Sequence, residues 1–356
     1  MYETLESLIK INTINDKNNS EFIEKVSQML KDLGFKLEKV SDISGKSALI
    51  AKNRDECELC FLGHSDTVDY SDTWDSNPFE LTIKDDYMYG LGVCDMKGGI
   101  ACFIETLKQI NLESLNKGIM LVITFDEEIG FGGINLVKNI SMPNNILIGE
   151  PTDLVPVIAC KGCMEYKVTF RGKAVHSSSM PKGINAITNC TNFISDLTKF
   201  YEEIKVEENN NFDIPFTTMN IATINGGKCI NIVPDMCTLT FDFRTVYNHQ
   251  HNKIDNNVRK LLEKYDCNME IITNVYPNNN NDSKNVKYIE NITGNKAVGF
   301  NYVTEGNFLE NKNVVILGPG PVTAHEVNEH ISISSYTSTI DLYKKIIYNF
   351  CGGKDE

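Results

Sequence analysis

Three short apolar runs, each ending on an acid or a histidine, constrain this chain most. They are ECELCFLGH (56–64), GIMLVITF (118–125) with DEE directly behind it, and NILIGE (145–150). Each is long enough for one strand and too short for a buried helix. Between the first two stands GGIACFIETLKQINL (98–112), with Ile100, Phe103, Ile104, Leu107 and Ile110 at helical spacing. Apolar strands alternating with amphipathic helices predict a mostly parallel sheet covered by helices on both faces. Two helices precede it, one around Leu5, Leu8 and Ile9. The other runs over EFIEKVSQMLKDLGF, with Gly34 as its stop.

The pattern changes near Gly162. MEYKVTFRG alternates as a half-exposed strand, and GINAITNCTNFISDLTKFYEEI follows as a long helix. Strands TTMNIATINGG and CTLTFDFR, a helix over HNKIDNNVRKLLEKY and a strand NMEIITNVY complete a β-α-β-β-α-β unit of α+β ferredoxin-like type. PNNNNDSKN (277–285) reads as a polar linker, and the Asn-rich runs 209–211 and 278–281 as loops. The chain then returns to α/β through a strand in NVVILGPG and a last helix in SYTSTIDLYKKIIYNF. The expected organisation is a discontinuous α/β domain, 1–162 and 277–356, with an α+β domain, 163–276, inserted in it.

The chain has 356 residues, enough for two cores, and a net charge of -14. Nucleic-acid binders carry basic patches, so this balance argues against one. No apolar stretch approaches the roughly 20 residues that span a bilayer. The start, MYETLESLIKI, lacks a basic segment with an apolar core, so no signal peptide is expected. Eleven cysteines, an odd number without a secretory signal, point to reduced thiols in a cytoplasm. Cys57/Cys60 and Cys160/Cys163 could make a four-thiolate zinc site; buried strand thiols are the plainer reading. His249 and His251 read as a polar surface turn.

The acids and histidines behind the strands are His64 and Asp66 in GHSD, Asp95 in GLGVCDMKGG, and Asp126, Glu127 and Glu128 in FDEEIG. Glu150 in IGEPTD and His325 in TAHEVNE complete them. Singly, each has an ordinary structural reading: Asp95 ahead of a helix is an N-cap, Glu150 before Pro151 a turn residue. Together they matter, because the carboxyl ends of strands in open α/β sheets form one ligand-binding rim. Carboxylates crowded there need cations or must stay protonated. Two imidazoles and three carboxylates suit zinc or a similar divalent ion. A two-metal site with one bridging carboxylate leaves room for water and substrate.

The motifs LGHSDTV, WDSNPFELT, YGLGVCDMKGG, DEE, IGEPTDLVPVIACKG, HSSSMPKGINAI and LGPGPVTAHEVNE occur in that order over nearly the whole chain. In this the chain resembles the dinuclear zinc peptidase and deacylase family, which includes acetylornithine deacetylase, succinyl-diaminopimelate desuccinylase and glutamate carboxypeptidase. The wording is nearest the acetylornithine deacetylase branch. The resemblance implies two divalent cations, zinc with cobalt as the other possibility. His64, Asp95 and Glu150 would hold one, and Asp95, Glu128 and His325 the other. Asp66 would accept the free N–H of His64, and Glu127 would be the general base. His176 resembles the family's oxyanion-stabilising histidine. Arg244, with Asn231 beside it, resembles the carboxylate-binding arginine; a surface ion pair is the other reading of Arg244. In TEGNF (304–308), Gly306 and Asn307 stand where that branch has Ala-Pro. The implied activity is amide hydrolysis of an N-acyl amino acid, N-acetylornithine first, in arginine biosynthesis. A carboxypeptidase, a dipeptidase or another deacylase on the same scaffold is the alternative. The inserted domain would serve as lid and as the contact of a homodimer.

Overall fold

The computed structural model describes residues 2–15, 17–280 and 282–352; the last residue of the Asn-rich run 278–281 lies outside them. In chain order the first elements are α1 (Glu3–Ile9), α2 (Ser20–Asp32), β1 (Lys36–Ser41), β2 (Ser47–Lys52) and β3 (Cys57–His64). Then come β4 (Thr82–Lys84), β5 (Tyr87–Tyr89), α3 (Lys97–Gln109), β6 (Gly118–Thr124), α4 (Gly132–Val137), β7 (Asn145–Ile148) and β8 (Val157–Cys160). The middle of the chain gives β9 (Gly162–Arg171), α5 (Ala186–Ile204), β10 (Thr218–Gly226), β11 (Met236–Thr245), α6 (Asn248–Leu262) and β12 (Cys267–Val275). The last are β13 (Asn278–Asn279), α7 (Ser283–Thr293), β14 (Val298–Phe300), β15 (Asn313–Ile316), β16 (His330–Ser332) and α8 (Ile333–Cys351). Two compact units result: 1–158 with 279–298 and 308–356, and 159–278 with 299–307.

The first unit is a large α/β sheet in the order β1-β2-β6-β3-β7-β15-β8. Its centre is parallel, β6 to β3 to β7 to β15. The flanks are antiparallel, β1–β2–β6 on one side and β15–β8 on the other. Parallel strands are buried on both faces, which is why β6 is apolar and buried throughout. Leu121, Phe61 and Leu147 lie in register across three of them. Phe61 stacks on Phe103 of α3 at 4.2 Å between ring centres and meets Tyr343 of α8 edge-on at 5.9 Å. Fully burying a side chain of this size contributes about 1.5–3 kcal/mol.

One glycine positions the site. A Cβ on Gly99, in the first turn of α3, would stand 1.9 Å from the carbonyl oxygen of Gly149. Only glycine lets that helix start press against the chain just beyond β7. The contact brings the segment carrying Asp95 to the segment carrying Glu150.

The second unit is an antiparallel sheet in the order β12-β9-β11-β10 with α5 and α6 on one face. That is the ferredoxin-like order its β-α-β-β-α-β sequence predicts. On β11, Cys237, Leu239, Phe241 and Phe243 turn inward onto Phe193 and Leu197 of α5 and Val258 of α6. The Asn185 side chain caps α5, accepting from the N–H groups of Ile187 and Thr188.

Three expectations differ. The polar linker 277–285 instead leads into helix α7, capped by Asp282 and closed by Gly294 in the left-handed region. Val286, Ile289 and Ile292 recur at helical spacing, with Ile289 buried and the other two packed partly buried against the core, behind a polar start that reads as linker. The second unit begins at 159 rather than 163, ends at 278 and includes 299–307. There the Lys161 N–H donates to Phe300 O at 3.0 Å, and the Asn307 amide donates to Lys161 O at 3.1 Å and Tyr276 O at 2.8 Å. So Asn307, at the Ala-Pro position, is spent on backbone carbonyls. Lastly, His249 and His251 form no surface turn but lie in the first turn of α6. His251 is buried, with Thr245 Oγ1 at 3.1 Å and Asn274 Oδ1 at 2.7 Å.

Candidate metal centre

The predicted acids and histidines of the first unit gather behind the ends of its strands. His64 is the last residue of β3, Glu127 and Glu128 follow β6, Glu150 follows β7, and Asp95 precedes α3. His325 sits in the loop between β15 and β16, with φ +64°.

Two clusters share Asp95. In one, potential ligand atoms of His64, Asp95 and Glu150 lie within 4.8 Å of one another; in the other, those of Asp95, Glu128 and His325 do. His64 Nε2 stands 3.1 Å from Asp95 Oδ1 and 3.6 Å from Glu150 Oε1. His325 Nε2 stands 3.4 Å from Asp95 Oδ2 and 3.1 Å from Glu128. A third grouping, His64 with Glu127 and Glu128, puts Glu127 against both.

The supporting contacts fix the histidine. His64 Nδ1 faces the Asp66 main-chain oxygen at 3.0 Å and the Asp66 carboxylate at 3.5 Å. A ring with its proton on Nδ1 donates there, which leaves Nε2 to face Asp95 and Glu150: protonated, it donates to their oxygens; neutral, its lone pair is free for a cation. The other Asp66 oxygen accepts the Glu128 N–H at 3.1 Å, tying the two strand ends together.

The electrostatics are those of crowded acids. Burial, with Asp95 adding, pushes Glu150 up to about 8. Burial and the charges of Glu150, Glu128 and Asp95 hold Glu127 well above the usual range, against the pull of His64. Hydrogen bonds to Asp95 and Glu128 raise His325 to about 10. Burial opposes the charge on His64, but the carboxylates of Glu150, Asp66 and Asp95 prevail and raise it. Burial likewise opposes ionisation of Asp95, and the hydrogen bonds of His325 and His64 outweigh it and lower it.

This donor set fits divalent cations. Among the described residues no Lys or Arg pairs with these acids. Glu150 Oε1 is buried without a hydrogen-bond partner. Imidazole nitrogen with carboxylate oxygen is borderline-to-hard chemistry, suited to zinc and its neighbours. No metal-capable cluster among the described residues contains a cysteine; Cys57 and Cys60 lie on β3.

Asp126 stands apart from the ligand clusters, paired with Lys46. Several charges escaped the sequence reading, among them the half-buried Lys46 and the buried Glu329. Lys46 has no local signal. Glu329 lies inside TAHEVNE, yet its partners are backbone groups 234 to 237 residues away.

The remaining candidates belong to the second unit. His176 and Asn231 lie on neighbouring segments, bridged by Ser177 N–H to Asn231 O at 2.9 Å. His176 is exposed and its Nδ1 meets Ser178 Oγ at 2.8 Å. Arg244, on the sheet face away from the helices, pairs with Asp242 at 3.2 Å and Glu165 at 3.5 Å.

Residues 60–349 match peptidase family M20/M25/M40. The chain is 33% identical over 368 residues to acetylornithine deacetylase of Aliivibrio salmonicida, covering 98% of this chain and 97% of that one. Its fold is similar to that of aminopeptidase PepT from Bacillus cereus, with TM-score 0.81, 20% identity and 98% of each chain covered. It is also similar to the Bacillus subtilis YXEP protein, a dinuclear metal binding peptidase from the M20 family, at TM-score 0.71 and 14% identity. That likeness covers 97% of this chain and 96% of the other.

Proposed function

The chain belongs to peptidase family M20/M25/M40, and from that premise we propose that it hydrolyses the amide bond of N-acetylornithine, releasing ornithine and acetate. The observation that carries the reading is the pair of ligand clusters sharing Asp95, with Glu127 beside them. The full-length similarity to acetylornithine deacetylases supports the substrate.

His64, Asp95 and Glu150 would hold one divalent cation, and Asp95, Glu128 and His325 the other, with zinc or cobalt as the metal. Cations bound there polarise the scissile carbonyl and make the attacking water more acidic. A carboxylate oxygen of Glu127 takes a proton from that water. It then delivers it to the amide nitrogen as the C–N bond breaks, so the amine leaves neutral. Asp66 keeps His64 in the tautomer that frees Nε2. His176 would steady the charge growing on the carbonyl oxygen. Arg244 suits the substrate's carboxylate, since its fork binds both oxygens, and Asn231 would add an amide on the segment next to His176, at the other end of the β10–β11 hairpin. Arg244 would exchange its contacts with Asp242 and Glu165 for that partner. We further infer a homodimer through the inserted domain, and a reducing cytoplasm, which suits eleven free cysteines.

Amine release from N-acetylornithine, N-succinyl amino acids and dipeptides, with and without added zinc or cobalt, tests the reading. Metal-dependent turnover of N-acetylornithine above the rest is expected. Preference for a dipeptide would make the chain a peptidase on the same scaffold.

A further inference from the structure

We propose that Glu329 is a positioning residue that fixes Asp95, the acid common to both clusters; this rests on the metal-centre reading above. Glu329 is 2% exposed. Its Oε1 accepts the N–H of Cys94 at 2.7 Å and of Asp95 at 2.9 Å, and its Oε2 accepts the N–H of Gly92 at 2.8 Å. Its main-chain oxygen accepts the Gly90 N–H at 3.2 Å.

The segment it clamps is YGLGVCD. Gly92 takes φ +79°, in the left-handed region, and a Cβ there would meet Thr67 at 2.8 Å. With the chain so folded, the N–H groups of Gly92, Cys94 and Asp95 converge on one carboxyl, while that of Val93 turns back to Gly90 O. Such a concavity binds anions elsewhere, as in phosphate loops. Here the group in the concavity is the protein's own carboxyl: burial pushes Glu329 up to about 8, against the pull of these N–H groups toward the ionised form.

Two features give the clamp a functional meaning. Asp95 offers Oδ1 to His64 and Oδ2 to His325, so both clusters follow wherever its backbone is set. Glu329 also lies four residues beyond His325 and directly before β16, whose His330 pairs with Tyr89 of β5. One short stretch therefore carries a ligand of one cluster and anchors the ligand of both. A carboxylate this buried is costly unless fully hydrogen-bonded, and it fills the role of an apolar packing residue poorly.

The test is a zinc titration against a competing chelator, with the absorption spectrum of the cobalt-loaded protein. Wild type, Glu329→Gln and Glu329→Asp are compared. Glu329→Gln keeps the shape but turns an N–H donor toward backbone donors. We expect cation affinity to fall by about 10–100-fold, the usual cost of losing a partner behind a ligand. The cobalt spectrum should change, and kcat should fall with KM little moved, while the metal-free protein melts within a few degrees of wild type. Glu329→Asp keeps the charge with a shorter reach and should lose less; it also serves if the glutamine variant does not fold. Wild-type affinity and spectrum in the folded variants overturn the assignment while the metal centre stands. A wild type that binds no cation overturns the metal centre, and this assignment with it.

Discussion

Lys46 and Asp126 form an ion pair beneath the acid run, the ammonium also reaching the main-chain oxygen of Asn15 at 2.6 Å. Their side chains are 12% and 20% exposed. Three consecutive acids thus divide their charge. Asp126, at φ +57°, is neutralised by a lysine on one side of the turn. Glu127 and Glu128 face the histidines on the other.

Lys46→Met strands the Asp126 carboxylate. We expect a loss of about 1–3 kcal/mol by chemical denaturation, below the ~3–5 kcal/mol of a fully buried pair. Adding Asp126→Asn should recover part of it. Equal stability of wild type and single variant would show that the pair contributes nothing.

Glu127→Gln removes the proton carrier and leaves the ligands in place. Turnover should fall by about 10²–10⁴-fold, the usual share of general acid–base catalysis. Metal content by elemental analysis should stay at the wild-type value. An active glutamine variant would take the role away from Glu127.

Asp95→Asn weakens both clusters, whereas Glu150→Gln weakens one. Elemental analysis after dialysis should find both cations lost from the first variant and one retained by the second. If Asp95→Asn keeps both, the shared-ligand reading fails.

The pH response of the metal-free protein follows from raised protonation. Glu150 sits at about 8 against an ordinary 4.5, and His325 at about 10 against 6.5. A folded-state pKa above the unfolded one gives stability that is complete below the unfolded value and lost as pH rises through the folded one. Metal-free protein should therefore melt progressively lower as pH rises from about 4.5 to about 10, through Glu150 first and His325 after it. Bound cations replace those protons, so the gap in Tm between loaded and stripped protein should widen over that range. A gap that narrows in scanning fluorimetry would contradict this.

Phe61→Ala opens the aromatic contact between β3, α3 and α8. The expected cost is about 3–5 kcal/mol in denaturant unfolding, cavity included. Metal affinity should change little, since His64 is three residues further along.

The parallel centre of the sheet was legible because β3, β6 and β7 are buried on both faces and so read as unbroken apolar runs. β1 was not: its residues are mostly exposed and half of them are charged, as an edge strand allows. Helix α7 hides behind a polar start. The acids and histidines at strand ends were legible as a group, because the strands' direction places them on one rim. Glu329 and Lys46 were not. Each is a charge held by groups distant in sequence, and nothing beside either residue reports that partner. Arg244 shows the limit from the other side, since FDFR fits a substrate contact and the ion pairs it makes equally well.

The second unit is made of two stretches of chain, 159–278 and 299–307. A gene cut at its obvious ends would therefore leave part of it behind. Asn307, which holds the carbonyls of Lys161 and Tyr276, would stay with the other piece. Transplanting this insertion between relatives as a cassette needs three junctions beyond the first, and grafts that ignore the short stretch should yield a frayed base.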